Sequence, residues 1–346
     1  MKGVFRGWPD PVTVIRADLA GLSAPVLSVI VDTEEEFDWH GPFSRRNADT
    51  RSLPALPAAQ TIFERYGIVP TYVIDYPVAT SPAAVDILGP WAAGGRAAIG
   101  AHLHPWVTPP FEEVVCPYHS YPCNLGKELE FRKLTVLTRA IAEAFGMAPK
   151  VYKAGRYGYR LDHEDLLVRL DYAVDASIMP FRSYAGRGGG PNFIHYPNQP
   201  FWTSRDRRIL HVPTVHAPIG ALRRLAETQL GRCVFDGLGQ RLRIPGLLVR
   251  LGLVELLTLS PEGNSEENLI RLVNTLAGDG HTIFTLTFHS TSLAPGNTPY
   301  TRNSVEVEAL LARIDRFLDA FMGTMGGEAR SHLELSGLLR SPAGGL

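Results

Sequence analysis

The sequence predicts an α/β fold, a parallel sheet with helices packed outside it, and three observations predict it. Short apolar runs rich in β-branched residues alternate with helical patterns along most of the 346 residues. The clearest run, residues 26–31 (VLSVIV), is continuously apolar and breaks into acidic residues, as a strand buried on both faces does where it enters a functional loop. The polar residues suited to chemistry fall at the carboxyl ends of such runs, the rim on which α/β barrels assemble their sites.

Taken in order, the first strand runs through a polar loop into a helix over 56–66 that Gly67 ends. Residues 71–74 form the second strand, 83–93 a helix stopped by Gly94 and Gly95, and 97–101 a third strand that delivers His102. The proline-rich loop 105–122 is long enough to be functional. Leu129, Lys133, Val136 and Ala140 recur at helical spacing within 125–145, a helix that Gly146 terminates. Strands at 150–154 and 173–175 flank a helix at 162–170.

Residues 183–208, rich in Gly, Pro, Asn and Arg, read as irregular, 210–213 as a strand and 219–260 as helical in places. The apolar stretch 247–259 fits an interface helix or one buried in its own domain. A helix at 265–277, a strand at 282–288 ending in His289, a helix at 304–322 and a frayed tail at 341–346 complete the chain. The expected organisation is one domain over 1–346 with an irregular insertion at about 183–260.

Composition narrows the partners. The 34 basic and 35 acidic side chains nearly cancel, so no long-range field favours nucleic acid or an anionic membrane; the one basic cluster that stands out is Arg205, Arg207 and Arg208. Three cysteines, Cys116, Cys123 and Cys233, are too few and odd in number for a disulfide framework. Cys116 and Cys123, with His119 between them, read as loop thiols rather than a zinc clip. The first 21 residues place Pro and Asp where a secretory apolar core would stand, and no uncharged run reaches membrane-span length, so a cytoplasmic location is expected.

Asp32 and Glu34 are two apart, as are His102 and His104, and residues i and i+2 of an extended chain share a face. Two carboxylates and two imidazoles on one rim suit a divalent cation of zinc-like character, with one carboxylate left over as a base. Singly, each element has a structural reading: an acidic strand end can be a loop cap, a lone histidine is more often structural, and Glu35 and Glu36 read as surface charge. Their joint occurrence favours the metal reading.

The motif order resembles that of the polysaccharide deacetylases of the NodB homology type (carbohydrate esterase family 4-like), from about residue 26 to 289. The carrying segments are VIVDTEEEFDW (29–39), GIVPTYVI (67–74), AIGAHLHPW (98–106), YKAGRYGY (152–159), YAVDASIMP (172–180) and LTFH (286–289). The resemblance implies a distorted (β/α) barrel. It also implies metal-dependent removal of an N-acetyl or O-acetyl group from a sugar or oligosaccharide, in a branch serving surface-polysaccharide biosynthesis. The implied metal is zinc, with cobalt, nickel or manganese as alternatives.

By position, Asp32 resembles the general base, His289 the general acid, Arg156 the residue orienting the base, and Asp175 an acid supporting a neighbouring histidine. Glu34, His102 and His104 resemble the metal ligands, and the Tyr159 backbone N–H an oxyanion donor. Trp39, Trp106, Tyr157 and Tyr159 are candidate walls for a sugar ring. The two histidines are two apart where the family has four, and TFDDG and the paired prolines of the commoner arginine motif are missing, which points to a divergent subgroup. His216 is the reserve third ligand. A cyclic-amide hydrolase on the same fold, a carbohydrate-binding pseudoenzyme and, last, a glycosidase using paired carboxylates are the competing readings.

Overall fold

The computed structural model describes residues 3–6, 11–224, 228, 250–251 and 253–340. Its strands are β1 (Gly3–Arg6), β2 (Pro11–Arg16), β3 (Val26–Thr33), β4 (Thr71–Ile74), β5 (Ala98–Leu103), β6 (Val151–Ala154), β7 (Val174–Asp175), β8 (Phe201–Trp202), β9 (Leu210–His211), β10 (His216–Ile219), β11 (Glu255–Thr258), β12 (Ile283–His289) and β13 (Glu328–Ala329). The helices are α1 (Leu56–Arg65), α2 (Tyr76–Ala79), α3 (Pro82–Ala93), α4 (Lys127–Phe145), α5 (Glu164–Arg169), α6 (Glu266–Gly278), α7 (Ser304–Asp319) and α8 (His332–Arg340).

Seven strands run parallel in the order β12-β3-β4-β5-β6-β7-β9, and β8, β2 and β1 extend this sheet antiparallel. The expected α/β fold with a parallel sheet is therefore present. Among the described residues no strand ladder closes it into a barrel. Single hydrogen bonds cross the opening at the rim instead: Thr287 N–H to Leu259 O (3.1 Å), Leu259 N–H to Val215 O (2.8 Å) and Thr214 N–H to Ile178 O (2.8 Å).

The two-residue period of β3 sorts its side chains. Leu27, Val29 and Val31 face the larger core under the helices, while Val26 and Ile30 face a smaller cluster with Val73, Val151, Val174 and Leu210. Asp32 continues the second set, so it points into the interior at the carboxyl end of the strand. Lys153, two residues after Val151, and Thr287 and His289, on the face of Ile283, inherit the same direction. Leu335 and Leu339 of α8 join the interior cluster, and His332 lies 3.3 Å from Thr71 at the start of β4, so this helix covers the amino end.

Several expectations change. The third strand runs on to Leu103 and so includes His102. Within the stretch read as helical, Glu255–Thr258 is a strand paired antiparallel with β10, so the 247–259 stretch is not one interface helix; residues 225–227, 229–249 and 252, which include Cys233 and four residues of that stretch, lie outside the described residues, as does the 341–346 tail. Residues 201–202 and 210–211 are strands of the main sheet, so the segment after 183 is less irregular than its composition suggests. Among the described residues, no helix is long and apolar enough to cross a membrane.

Candidate active site

The carboxyl ends of β3, β5, β6 and β12 surround a cavity of about 480 Å3 lined by Asp32, Glu34, His102, His104, Lys153 and His289, among others. On one side, Glu34, His102 and His104 bring one ligand atom each to within 4.8 Å of one another. Glu34 Oε2 is 3.6 Å from His102 Nε2 and 3.5 Å from His104 Nε2, and Glu34 Oε1 is buried without a hydrogen-bond partner. A buried, unpartnered carboxylate oxygen costs free energy unless something cationic meets it.

Both imidazoles are turned so that Nε2 is left open. His102 Nδ1–H donates to Lys153 O (2.8 Å) and His104 Nδ1–H to Glu35 Oε2 (2.7 Å). Fixing one ring nitrogen on a carbonyl or carboxylate is how proteins orient metal-binding histidines. Burial, then the neighbouring His102, lowers the His104 pKa to about 4, so its ring is neutral and its lone pair available. The donor set and the orphaned oxygen fit a divalent cation. The two-residue spacing works because both rings share one face of an extended chain, with centroids 4.6 Å apart.

Glu35, read from sequence as surface charge, is 0% exposed. It accepts from His104 and from Trp106 Nε1–H (2.7 Å), and its backbone N–H donates to Asp75 Oδ2 (2.8 Å). Burial and the charge of Glu34 push Glu35 up to about 7, and burial with Glu35 raises Asp75 well above the carboxylate range. These two acids can share a proton beneath His104.

Across the cavity, Asp32 is 4% exposed. Lys153 Nζ donates to Oδ1 and Oδ2, each at 2.7 Å, and to Thr287 Oγ1 at 2.8 Å. Burial raises the Asp32 pKa, but Lys153, His102 and His289 outweigh it and hold the carboxyl below its ordinary value. His289 Nε2 is 3.9 Å from Asp32 Oδ2, and its Nδ1–H donates to Glu262 Oε2 at 2.8 Å. Burial opposes the imidazolium, yet Glu262, Glu34 and Asp32 raise His289 to about 10. At neutral pH the pair is thus an ionised carboxylate beside a protonated imidazole, the forms a base and an acid need.

Two predicted residues stand elsewhere than expected. Arg156 lines the cavity but bonds Ser120 Oγ and packs 4.2 Å over the Tyr121 ring; the cation on Asp32 is Lys153, because residue 153 is in the strand and points inward while residue 156 is past its end. Tyr159 is buried away from the cavity, and its N–H already donates to Tyr157 O (2.9 Å); Tyr157 lines the cavity in its place. Arg156 and Tyr157 carry φ of 55° and 57°, left-handed conformations costly for both, and this turn separates their directions from the strand's.

Asp175 does support a histidine, His211 (3.0 Å), but neither lines the cavity; the acid behind His289 is Glu262. His216 bonds Thr258 Oγ1 (2.9 Å) and belongs to no metal-competent cluster among the described residues. Trp39 lines the cavity edge-on to His289 (4.9 Å), whereas Trp106 is stacked on His104 (4.3 Å), which makes it a support for that ring first. Cys116 and Cys123 are free.

No family model and no curated protein sequence matches the chain. Solved structures do match in fold. A Mycobacterium smegmatis protein that carries the name polysaccharide deacetylase superimposes over 95% of both chains at 12% identity, with a TM-score of 0.53. The PuuE allantoinase matches over 90% of this chain and 88% of its own at 11% identity, and a 4-α-glucanotransferase of Thermococcus litoralis over 90% and 40% at 10%, each with a TM-score of 0.50. At these identities the likeness shows the fold, which is that of the NodB-type and related (β/α) barrels.

Proposed function

We propose that this chain is a metal-dependent deacetylase that hydrolyses the acetamide of an N-acetylated sugar, in the divergent polysaccharide-biosynthesis branch that its motifs resemble. The observation that carries the reading is the conjunction at one cavity of a three-ligand cluster with both Nε2 atoms open and a carboxylate–imidazole pair in opposite charge states. A shared fold alone does not carry function. A divalent ion, zinc first among the candidates for two imidazoles and one carboxylate, would supply Lewis acidity toward the acetyl oxygen and toward water.

The chain's own residues do the rest. Asp32, kept ionised by Lys153, accepts a proton from the attacking water at a carboxylate oxygen. Glu262 keeps the His289 imidazole protonated and oriented, and His289 delivers its Nε2 proton to the departing nitrogen. The C–N bond breaks, and acetate and a free amine leave. Trp39 meets the His289 ring edge-on at the cavity wall.

The test is acetate release from a panel of N-acetyl sugars by protein stripped of metal and then reloaded with one equivalent of zinc, cobalt, nickel or manganese. Activity that vanishes on stripping and returns with metal supports the proposal. Turnover unaffected by complete metal removal would sink it, and turnover of cyclic amides alone would favour the other hydrolase of this fold.

A further inference from the structure

The cavity has two electrically different walls. One is the floor, where Asp32 and Glu262 are already met by Lys153 and His289; the other carries three arginines, Arg156, Arg182 and Arg187. Among the described residues, none of these three arginines forms an ion pair with a carboxylate. Other arginines of the chain do pair: Arg65, Arg96, Arg132 and Arg302 each meet a carboxylate oxygen, at 2.7, 2.8, 2.5 and 2.7 Å.

Arg156 and Arg182 pack on aromatic rings, Arg156 also bonds Ser120 Oγ, and Arg187 is exposed at the cavity mouth. Arg156 packs 4.2 Å from the Tyr121 ring centre and 4.9 Å from that of Phe43, and Arg182 lies 5.9 Å from that of Tyr184. Tyr121 O–H donates to the backbone oxygen of Arg187 (2.8 Å), and Tyr184 stacks on Tyr157 at 5.8 Å. Burial and the neighbouring charge of Arg187 disfavour the Arg156 guanidinium, and an arriving anion would relieve that repulsion. A planar guanidinium fork matches carboxylate and phosphate oxygens two at a time. The volume, about 480 Å3, is within the roughly 300–1,000 Å3 of small-molecule sites.

We propose that Arg156, Arg182 and Arg187 recognise an oxyanion on the acetylated substrate, a ring carboxylate or a phosphate ester, so that the preferred substrate is an acidic sugar rather than a neutral one. This rests on the deacetylase reading for the acetyl group and on the arginine wall alone for the charge.

Calorimetry on the zinc-loaded chain with three probes separates the two: N-acetylglucosamine, its 1-phosphate, and an N-acetylated amino-uronic acid. At least one anionic probe is expected to bind tenfold or more tightly than the neutral sugar, with a preference that weakens as salt rises; which anion gains more identifies the source of charge. The Arg182→Gln, Arg187→Gln double variant should lose that preference while keeping its affinity for the neutral sugar. Arg182→Lys with Arg187→Lys, which keeps the charge, should retain part of it and checks that the loop still folds. Equal binding of charged and neutral probes, no binding of either anion at millimolar concentration, or a preference that survives the double variant overturns the proposal. If the anionic preference holds but no probe releases acetate, the deacetylase reading falls and the anion site stands. If neutral and acidic sugars are deacetylated equally well, the reverse is true.

Discussion

Lys153 places its ammonium 2.7 Å from each oxygen of the Asp32 carboxylate, and this buried pair sets the charge of the proposed base. Lys153→Met leaves a buried carboxylate facing its desolvation with less help, and its pKa should rise. Acetate release at neutral pH should fall by about a hundredfold or more, chiefly in kcat. Stability should drop by about 3–5 kcal/mol in chemical denaturation, the usual cost of orphaning one partner of a buried pair. A kcat within tenfold of the parent would remove Lys153 from the reaction.

Glu262 and His289 form the opposite lever. In metal-free protein, NMR titration should find the His289 ring still protonated at pH 8 and losing its proton near 10. Glu262→Gln removes the largest stabilising charge, so the transition should move down toward the ordinary histidine value. An acid works only while protonated. Activity of the metal-loaded protein should therefore fall on the alkaline side as His289 loses its proton, and the variant should lose it at lower pH than the parent.

Two substitutions bear on His104 without touching a proposed ligand. Glu35→Gln weakens the acceptor on Nδ1 and should cost roughly 10–100-fold in metal affinity, read by chelator competition. A Cβ on Gly155 would lie 2.3 Å from His104 Cδ2 and 2.6 Å from Leu103 O, so Gly155→Ala must displace the ring or the strand end. Metal affinity should fall in that variant as well. Unchanged affinity in both would mean that His104 is not a ligand.

His211 gives the fold its own pH dependence. Burial lowers its pKa, but hydrogen bonds and charges of Asp175 and Glu164 win and raise it to about 9. A raised histidine pKa stabilises fully below the unfolded value near 6.5, and that contribution disappears as pH rises through about 9. The loss is on the order of 3 kcal/mol across that interval. Denaturation at pH 6, 8 and 9.5 should show it, and His211→Asn should flatten the profile.

Much of this was legible in the sequence where one strand carried its own evidence. The β3, β4 and β12 runs announce themselves by apolar continuity, and Asp32, Glu34, His102, His104 and His289 stand at strand ends where a two-residue period fixes their face. The omissions are residues whose meaning depends on a distant segment. Lys153 is within YKAGRYGY, yet only the ladder β3-β4-β5-β6 brings it to Asp32, 121 residues away. Glu262 follows β11, a strand masked by a leucine-rich stretch that reads as helix. Glu35 looked like one charge among three, and nothing local says that Asp75, just after β4, lies beneath it. The N-terminal strands and α8 escaped notice because they are short or lie beyond the last motif.

The β12–β3 register pairs His289 with Asp32 as direct neighbours on one rung of a parallel ladder. Acid and base are thereby spaced by backbone hydrogen bonding, whereas the arginines and most of the aromatic wall come from loops. A change of length or charge in those loops would therefore alter what the cavity accepts without moving the proposed acid and base.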